Sequence, residues 1–270
     1  MKINPEFVTK IIISFLRQEL VKFGFKQVII GLSGGLDSSV CAFLAARSLG
    51  PEHVVSLIMP YGETFPQEVE DARQVASIIG CRSIIIDIRP MIDAYFNLHP
   101  TNSHIQKGNK MARERMSILY DYSVRERALI LGTSNKTELL IGYGTVHGDM
   151  ACGLNPLGDL YKTQIRVLGA WLGVPEKILN KKPTAGLWPG QTDEAEIGLA
   201  YEELDRILYE LVDLRRSRRE LIAEGFDRSK VERVWEMMRR NEFKRRQPPI
   251  VKLSSRTVSH DFLYPYDWER

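Results

Sequence analysis

Residues Gln27 to Ser39 read QVIIGLSGGLDSS. The first five form a short apolar run bounded by glycine, the pattern of a buried strand. A helix is expected from about Asp37 to Leu49, so a turn rich in glycine and serine joins the two. That order of elements presents free backbone N–H groups to an anion. Gly31, Gly34 and Gly35 allow close backbone approach and positive φ. The first helical turn adds unpaired N–H groups and a partial positive charge. Ser33, Ser38 and Ser39 add hydroxyl donors. Asp37 is wrong for direct phosphate contact, since like charges repel, and is right if Mg²⁺ lies between them. A plain helix-capping turn is the bland reading. Two serines, two glycines and an acid packed into one turn argue against it.

Working outward, helix and strand alternate through the first two-thirds. Asn4 and Pro5 mark the cap and first position of an amphipathic N-terminal helix, which speaks against a secretory signal. Further strands are expected at His53 to Met59, Ser83 to Asp87 and Ala128 to Leu131, with helices at Pro66 to Ile79 and Lys107 to Val124. Strands separated by helices of this length imply right-handed crossovers and a parallel sheet flanked by helices on both faces. A Gly-rich loop, Ile141 to Asp159, follows a short helix. After about Thr192 the pattern is helical only, and from Gln247 onward it is Pro-rich and irregular. The chain thus reads as a single domain, 1–270, with a helical extension at about 192–246 and an irregular tail at 247–270.

Composition excludes several classes. The 270 residues carry a net charge of +3, too small for a nucleic-acid binder. The Arg-rich stretch Arg215 to Arg219 lies among about as many acids and reads as a solvated helix face. No apolar stretch approaches the roughly 18 residues that a membrane span needs. Cys41, Cys81 and Cys152 form no CxxC pair, which argues against a disulfide framework and a zinc site. A cytoplasmic protein with no membrane or nucleic-acid partner is expected. The loop lacks GxxxxGK(S/T), so a Walker-type hydrolase is disfavoured. Gly142-Tyr143-Gly144 follows a helix-like segment and is no dinucleotide fingerprint.

The loop SGGLDSS resembles that of the N-type ATP pyrophosphatases, which cleave ATP to AMP and pyrophosphate while adenylating a substrate. Downstream segments narrow the resemblance. Lys107 to Met116 (KGNKMARERM), Gly132 to Glu138 (GTSNKTE), Asp159 to Gln164 (DLYKTQ) and Pro183 to Glu194 (PTAGLWPGQTDE) are similar to successive signatures of ammonia-dependent NAD synthetases, over roughly residues 5–250.

That resemblance implies a Rossmann-like, adenine nucleotide alpha hydrolase-like fold. It implies ATP-dependent amidation of deamido-NAD with ammonia, through an adenylated carboxylate. Carried over, Gly31, Leu32, Ser33, Gly34, Gly35, Leu36, Asp37 and Ser38 hold ATP, joined by Thr133, Lys162 and Thr184. Asp37 and Glu138 are the implied Mg²⁺ ligands, Asp37 and Lys162 the implied catalytic residues, and Arg113 and Lys244 the implied deamido-NAD contacts. A homodimer with the substrate site at its interface is implied as well.

Each residue has a plainer role beside this one: Glu138 paired with a nearby lysine, Lys162 a surface lysine at a helix start, Trp188 a packing residue or part of a lid. Arg113 and Arg115 point to different faces of one helix, and the resemblance favours Arg113 for substrate, leaving Arg115 to a structural ion pair.

The chain also departs from the family pattern. Val146, Gly153 and Phe243 stand where better-known members carry Lys, Asp and His on the deamido-NAD side, with Asp149 and His147 close by as replacements. Glutamine use in the family comes with an added glutaminase domain, for which this chain has no room. Two other readings remain: an amidotransferase of the same fold acting on a different substrate, and a non-catalytic adenine-nucleotide sensor.

Overall fold

The computed structural model describes residues 1–188, 190–258 and 261. Helix α1 (Pro5–Phe23) begins as its sequence predicts, the Asn4 side chain accepting from the Phe7 N–H at 3.1 Å. It leads into β1 (Gln27–Gly31) and α2 (Leu36–Leu49), then β2 (Val54–Ile58), α3 (Pro66–Ile79), β3 (Arg82–Ile85), α4 (Arg89–Leu98), α5 (His104–Glu126) and β4 (Ala128–Leu131). The strands form one parallel sheet in the order β3-β2-β1-β4.

Several boundaries move from their sequence-based positions, three of them for a visible reason. His53 ends a 3-10 turn opened by Pro51, so β2 starts one residue later. Pairing of β3 ends at Ile85. Beyond it the Asp87 carboxylate accepts from the Gly62 and Arg89 N–H groups, both at 2.8 Å, and turns the chain into α4. That helix was not expected. Helix α5 starts three residues early because Ser103 caps it, accepting from the Gln106 N–H at 3.3 Å.

Alternation along β1 places the two faces. Val28 and Ile30 pack with Leu16 and Leu20 of α1, Val40 and Leu44 of α2 and Val75 of α3. Ile29 points the other way, to Ile92 of α4 and Met111, Met116 and Leu119 of α5. Both faces are covered, as a parallel sheet requires. The chain runs outward from β1 to β2 and β3, then returns to β4 on the other side of β1. Connections therefore leave the carboxyl ends of β1 and β4 in opposite directions and open a crevice there, the usual ligand position in such sheets.

Beyond β4 come α6 (Lys136–Ile141), the Gly-rich loop, α7 (Lys162–Leu172), α8 (Glu176–Leu179), α9 (Asp193–Ile197), α10 (Tyr201–Leu208), α11 (Arg218–Ala223) and α12 (Arg228–Arg240). Helix α7 packs with α1 and α2 against the sheet. Helices α10 to α12 build a further apolar cluster, which Ile141 and Tyr161 join to the sheet-bearing part. The arginine-rich stretch is solvated and paired, Arg216 with Glu210 at 2.9 Å and Arg218 with Glu232 at 2.5 Å. From Gln247 the described residues are irregular, and the rest of the expected tail lies outside them.

Candidate active site

A cavity of about 750 Å³ occupies the crevice. One wall is the turn after β1. Gly35 caps α2 with its backbone alone, and no side chain competes for the N–H groups of the first helical turn. The Ser38 hydroxyl accepts from the Ser33 N–H at 3.3 Å and bonds the Ser33 hydroxyl at 3.0 Å, tying the turn to the helix. Gly34 has φ +75°, and a Cβ built there would lie 2.3 Å from the Glu68 carbonyl oxygen of α3. The turn therefore packs against α3 with no side chain between them.

Facing this wall, α6 and α7 bring in the charged groups. Asn135 caps α6, accepting from the Glu138 N–H at 2.9 Å, while Glu138 accepts from the Asn135 N–H at 3.2 Å. The Asn135 amide also donates to Asp37 at 3.1 Å. Lys162 is the first residue of α7, set by its N–H donating to Thr137 at 3.1 Å. Thr137 and the Thr163 N–H both bond the buried Asp205 of α10, at 2.5 Å and 2.8 Å.

Lys162 is not a surface lysine. Its side chain is 6% exposed, its ammonium pairs with Asp37, and Glu138 lies 3.6 Å away. Burial works to lower its pKa, but Asp37 and Glu138 outweigh burial and hold it above the ordinary lysine range. Burial pushes the Glu138 carboxyl up to about 8, with Lys162 opposing and Asp37 reinforcing the rise. The capping box and the lysine contact are real plain duties of Glu138, and they set its carboxylate between the Asn135 N–H and the Lys162 ammonium.

The cavity wall includes Gly31, Leu32, Ser33, Gly35, Leu36, Asp37, Ser38, Thr133, Glu138, Lys162, Thr184 and Lys244. Gly34 stands just behind that wall. Lys244 donates to the Gly142 and Gly144 carbonyls at 2.7 Å and 2.9 Å, so it braces the Gly-rich loop. Arg113 is exposed, lies outside the cavity lining, and donates to the Val146 carbonyl at 3.2 Å. Arg115, expected to be structural, lies on the cavity wall, as does Arg166 of α7. The Arg115 Nε donates to the Met59 carbonyl at 2.9 Å, and burial lowers it to about 10 despite Glu68 and Asp149 nearby.

Two of the departing positions have a physical reading. A Cβ at Gly153 would lie 2.6 Å from Leu129 Cδ1, so this chain leaves no room for a side chain there. Phe243 is 65% exposed. Trp188 does line the cavity, its ring 5.7 Å from that of His104.

Residues 8–248 match the family model of NAD synthase. The chain belongs to the NAD synthase family. An NH(3)-dependent NAD(+) synthetase of Trichlorobacter lovleyi is 48% identical over 268 residues, covering 99% of this chain and 98% of that protein. The structure of an NH3-dependent NAD synthetase from Campylobacter jejuni superimposes with a TM-score of 0.80 at 32% identity, over 93% of this chain and 100% of that one. An NMN synthetase from Francisella tularensis gives 0.82 at 31% identity, over 93% and 99%. The fold is thus the Rossmann-like adenine nucleotide alpha hydrolase type that the resemblance implied.

The cavity of this NAD synthase family member also holds residues that the sequence did not single out. Tyr143, Asp193, Glu196 and Gln191 line it. Asp193 sits inside the segment QTDE, where an acid directly after a Gly/Pro-rich stretch was a usable signal. Tyr143, inside the Gly-rich loop, carried none.

Proposed function

We propose that this chain amidates deamido-NAD to NAD with ATP and ammonia, releasing AMP and pyrophosphate. The convergence of Asp37, Glu138 and Lys162 on the uncapped first turn of α2 carries the reading. It joins a pyrophosphate grip to a pair of carboxyl groups that share one lysine. High identity to named NH(3)-dependent synthetases along nearly the whole chain supports it.

In this reading the substrate carboxylate oxygen attacks the α-phosphorus of ATP while the bond to the pyrophosphate oxygen breaks. Ammonia then attacks the acyl carbon. AMP departs with the bonding pair, and the nitrogen sheds a proton. Nucleotidyl transfer of this kind needs positioning and charge neutralisation more than covalent help. The loop N–H groups hold the pyrophosphate, and Lys162 offsets the charge that builds on it. Thr133, as an ATP contact, and Thr184, as a phosphate contact, are proposed on their place in the cavity wall, while Arg113 and Lys244 remain the proposed contacts to deamido-NAD.

Asp37 and Glu138 fit Mg²⁺. They are two oxygen donors that meet at one lysine ammonium, so the corner already holds a cation. Mg²⁺ uses one or two carboxylates with phosphate oxygens in such sites, and its chemistry is neutralisation of phosphate charge.

A homodimer fits the exposed apolar side chains of α4 and α5, among them Tyr95, Leu98, Tyr120 and Val124. A cytoplasmic location fits three free cysteines, and no helix among the described residues is long and apolar enough to cross a membrane.

The test is direct. Purified protein with ATP, Mg²⁺, ammonium and deamido-NAD yields NAD and AMP in equal amounts, and glutamine in place of ammonium yields little. The likeness to an NMN synthetase supplies a second reading, with the corresponding mononucleotide acid as substrate. AMP formed with that acid and not with deamido-NAD would select it.

A further inference from the structure

Asp193 has none of the roles above, yet three parts of the site meet at it. Its N–H donates to the Pro183 carbonyl at 3.1 Å, which brings the two ends of the 183–193 loop together. That loop carries Thr184, Leu187 and Trp188 on the cavity wall. The Asp193 carboxylate accepts from Tyr143 of the Gly-rich loop at 3.0 Å and from Tyr201 at the head of α10 at 3.2 Å. The Tyr201 ring, 1% exposed, backs the Lys162 ammonium, which lies 5.3 Å from its centroid.

A purely structural duty does not account for this arrangement. Thr192 already caps α9, accepting from the Ala195 N–H at 3.3 Å, so Asp193 is not needed there. Tyr201 is held in the apolar cluster of α10 to α12 whether or not its hydroxyl bonds an acid. Burying a carboxylate costs free energy unless its partners compensate, and at 4% exposure Asp193 bears that cost beside Lys162.

We infer that Asp193, acting through Tyr201, is a positioning residue that holds Lys162 toward Asp37 and Glu138 and couples that placement to the closed 183–193 loop. The inference rests on reading the site as an adenylating centre. Its charge adds to the pull on Lys162, and its hydrogen bond fixes the ring against which the lysine rests. When the loop ends part, the Asp193 backbone moves and that support goes with it.

The experiment measures ATP–pyrophosphate exchange, which reports the adenylation half-reaction, for wild type, Asp193→Asn, Tyr201→Phe and the double variant, each at saturating ATP and deamido-NAD. Asn keeps the size of the side chain without its charge, and Phe keeps the ring without its hydroxyl. Each single variant slows exchange between about 10- and 100-fold, while ATP affinity changes less than about threefold. The double variant is no slower than the slower single one, because the two residues act as a unit.

Wild-type exchange rates in both singles overturn the inference, and so do losses that multiply in the double variant. If Asp193→Asn does not fold, Tyr201→Phe decides alone, since the ring that fills the core is retained. Absence of exchange in wild type with deamido-NAD defeats the functional reading instead. The same variants are then compared with whichever acid supports exchange.

Discussion

The Lys162 ammonium rests on the Asp37 carboxylate, joining the first turns of α7 and α2 across 125 positions of sequence. Glu138 stands 3.6 Å from the same ammonium. One cation therefore faces two carboxyl groups, of which burial favours the neutral form of Glu138, beside a helix terminus that attracts anions. A polyphosphate adds negative charge there, so the corner calls for a further cation when nucleotide binds.

Replacing Lys162 by Ala removes the cation that Asp37 and Glu138 share. Breaking a buried pair on one side costs about 3–5 kcal/mol. The low end applies here, because the Glu138 carboxyl, pushed up to about 8, already favours its neutral form near neutral pH and leaves Asp37 as the main unpaired charge. We expect a loss of about 3 kcal/mol by urea unfolding and a fall in kcat of at least about 100-fold. Unchanged stability would show that the pair contributes nothing net to the fold.

Gly34→Ala tests the phosphate turn without touching a charge. At φ +75° a side chain is strained, and the new Cβ would lie 2.3 Å from a backbone oxygen of α3, which cannot rotate away. We expect about 2 kcal/mol of destabilisation from strain alone and at least about a tenfold loss of ATP affinity by calorimetry. Normal ATP binding in a folded variant would mean that the turn does not grip phosphate.

The turn and the sheet were legible because both are local. The run QVIIG, the glycines and the serine spacing each follow from backbone requirements within 13 residues, Gln27 to Ser39. The Lys162 position was not legible from spacing, since its partners come from α2 and α6 and only the fold brings them together. Which arginine of α5 lines the cavity was not legible for a related reason. That Arg113 and Arg115 face different sides of α5 was correctly read, but which side faces the cavity depends on how α5 lies against β1 and β4. Asp87 misled the strand boundary because its side chain, not its backbone, sets the turn into α4.

Asp213 links the helical extension to the site-bearing part, accepting from Lys136 at 2.8 Å and Tyr161 at 2.5 Å. Burial works to raise its pKa, but those two donors win and hold it below the ordinary 3.8. Folding therefore favours the carboxylate. Its contribution is complete above pH 3.8 and is lost as pH falls through the lowered folded value. Asp213→Asn should cost about 1 kcal/mol near neutral pH, a modest figure because the pair is partly solvated. Unfolding curves of variant and wild type should converge as pH drops below 3.8. A gap that persists in acid would assign the loss to packing.

The 183–193 loop seats on α5 at Gly108. A Cβ there would meet Leu187 Cδ1 at 2.9 Å and Trp188 Cζ3 at 3.4 Å. A small adjustment of the leucine accommodates alanine, but the two methyl groups of valine push both side chains off the helix. Valine is no worse than glycine in a helix interior, differing by a few tenths of a kcal/mol in its favour, so Gly108→Val leaves α5 intact. The consequence falls on the loop that carries Thr184 over the cavity. We expect KM for ATP to rise roughly 3- to 10-fold with thermal stability unchanged, and faster proteolytic cleavage between Thr184 and Gln191. Saturating ATP should not restore that protection fully, since the seat itself is altered. An unchanged KM together with unchanged protease resistance would show that contact with Gly108 is not what holds the loop over the site.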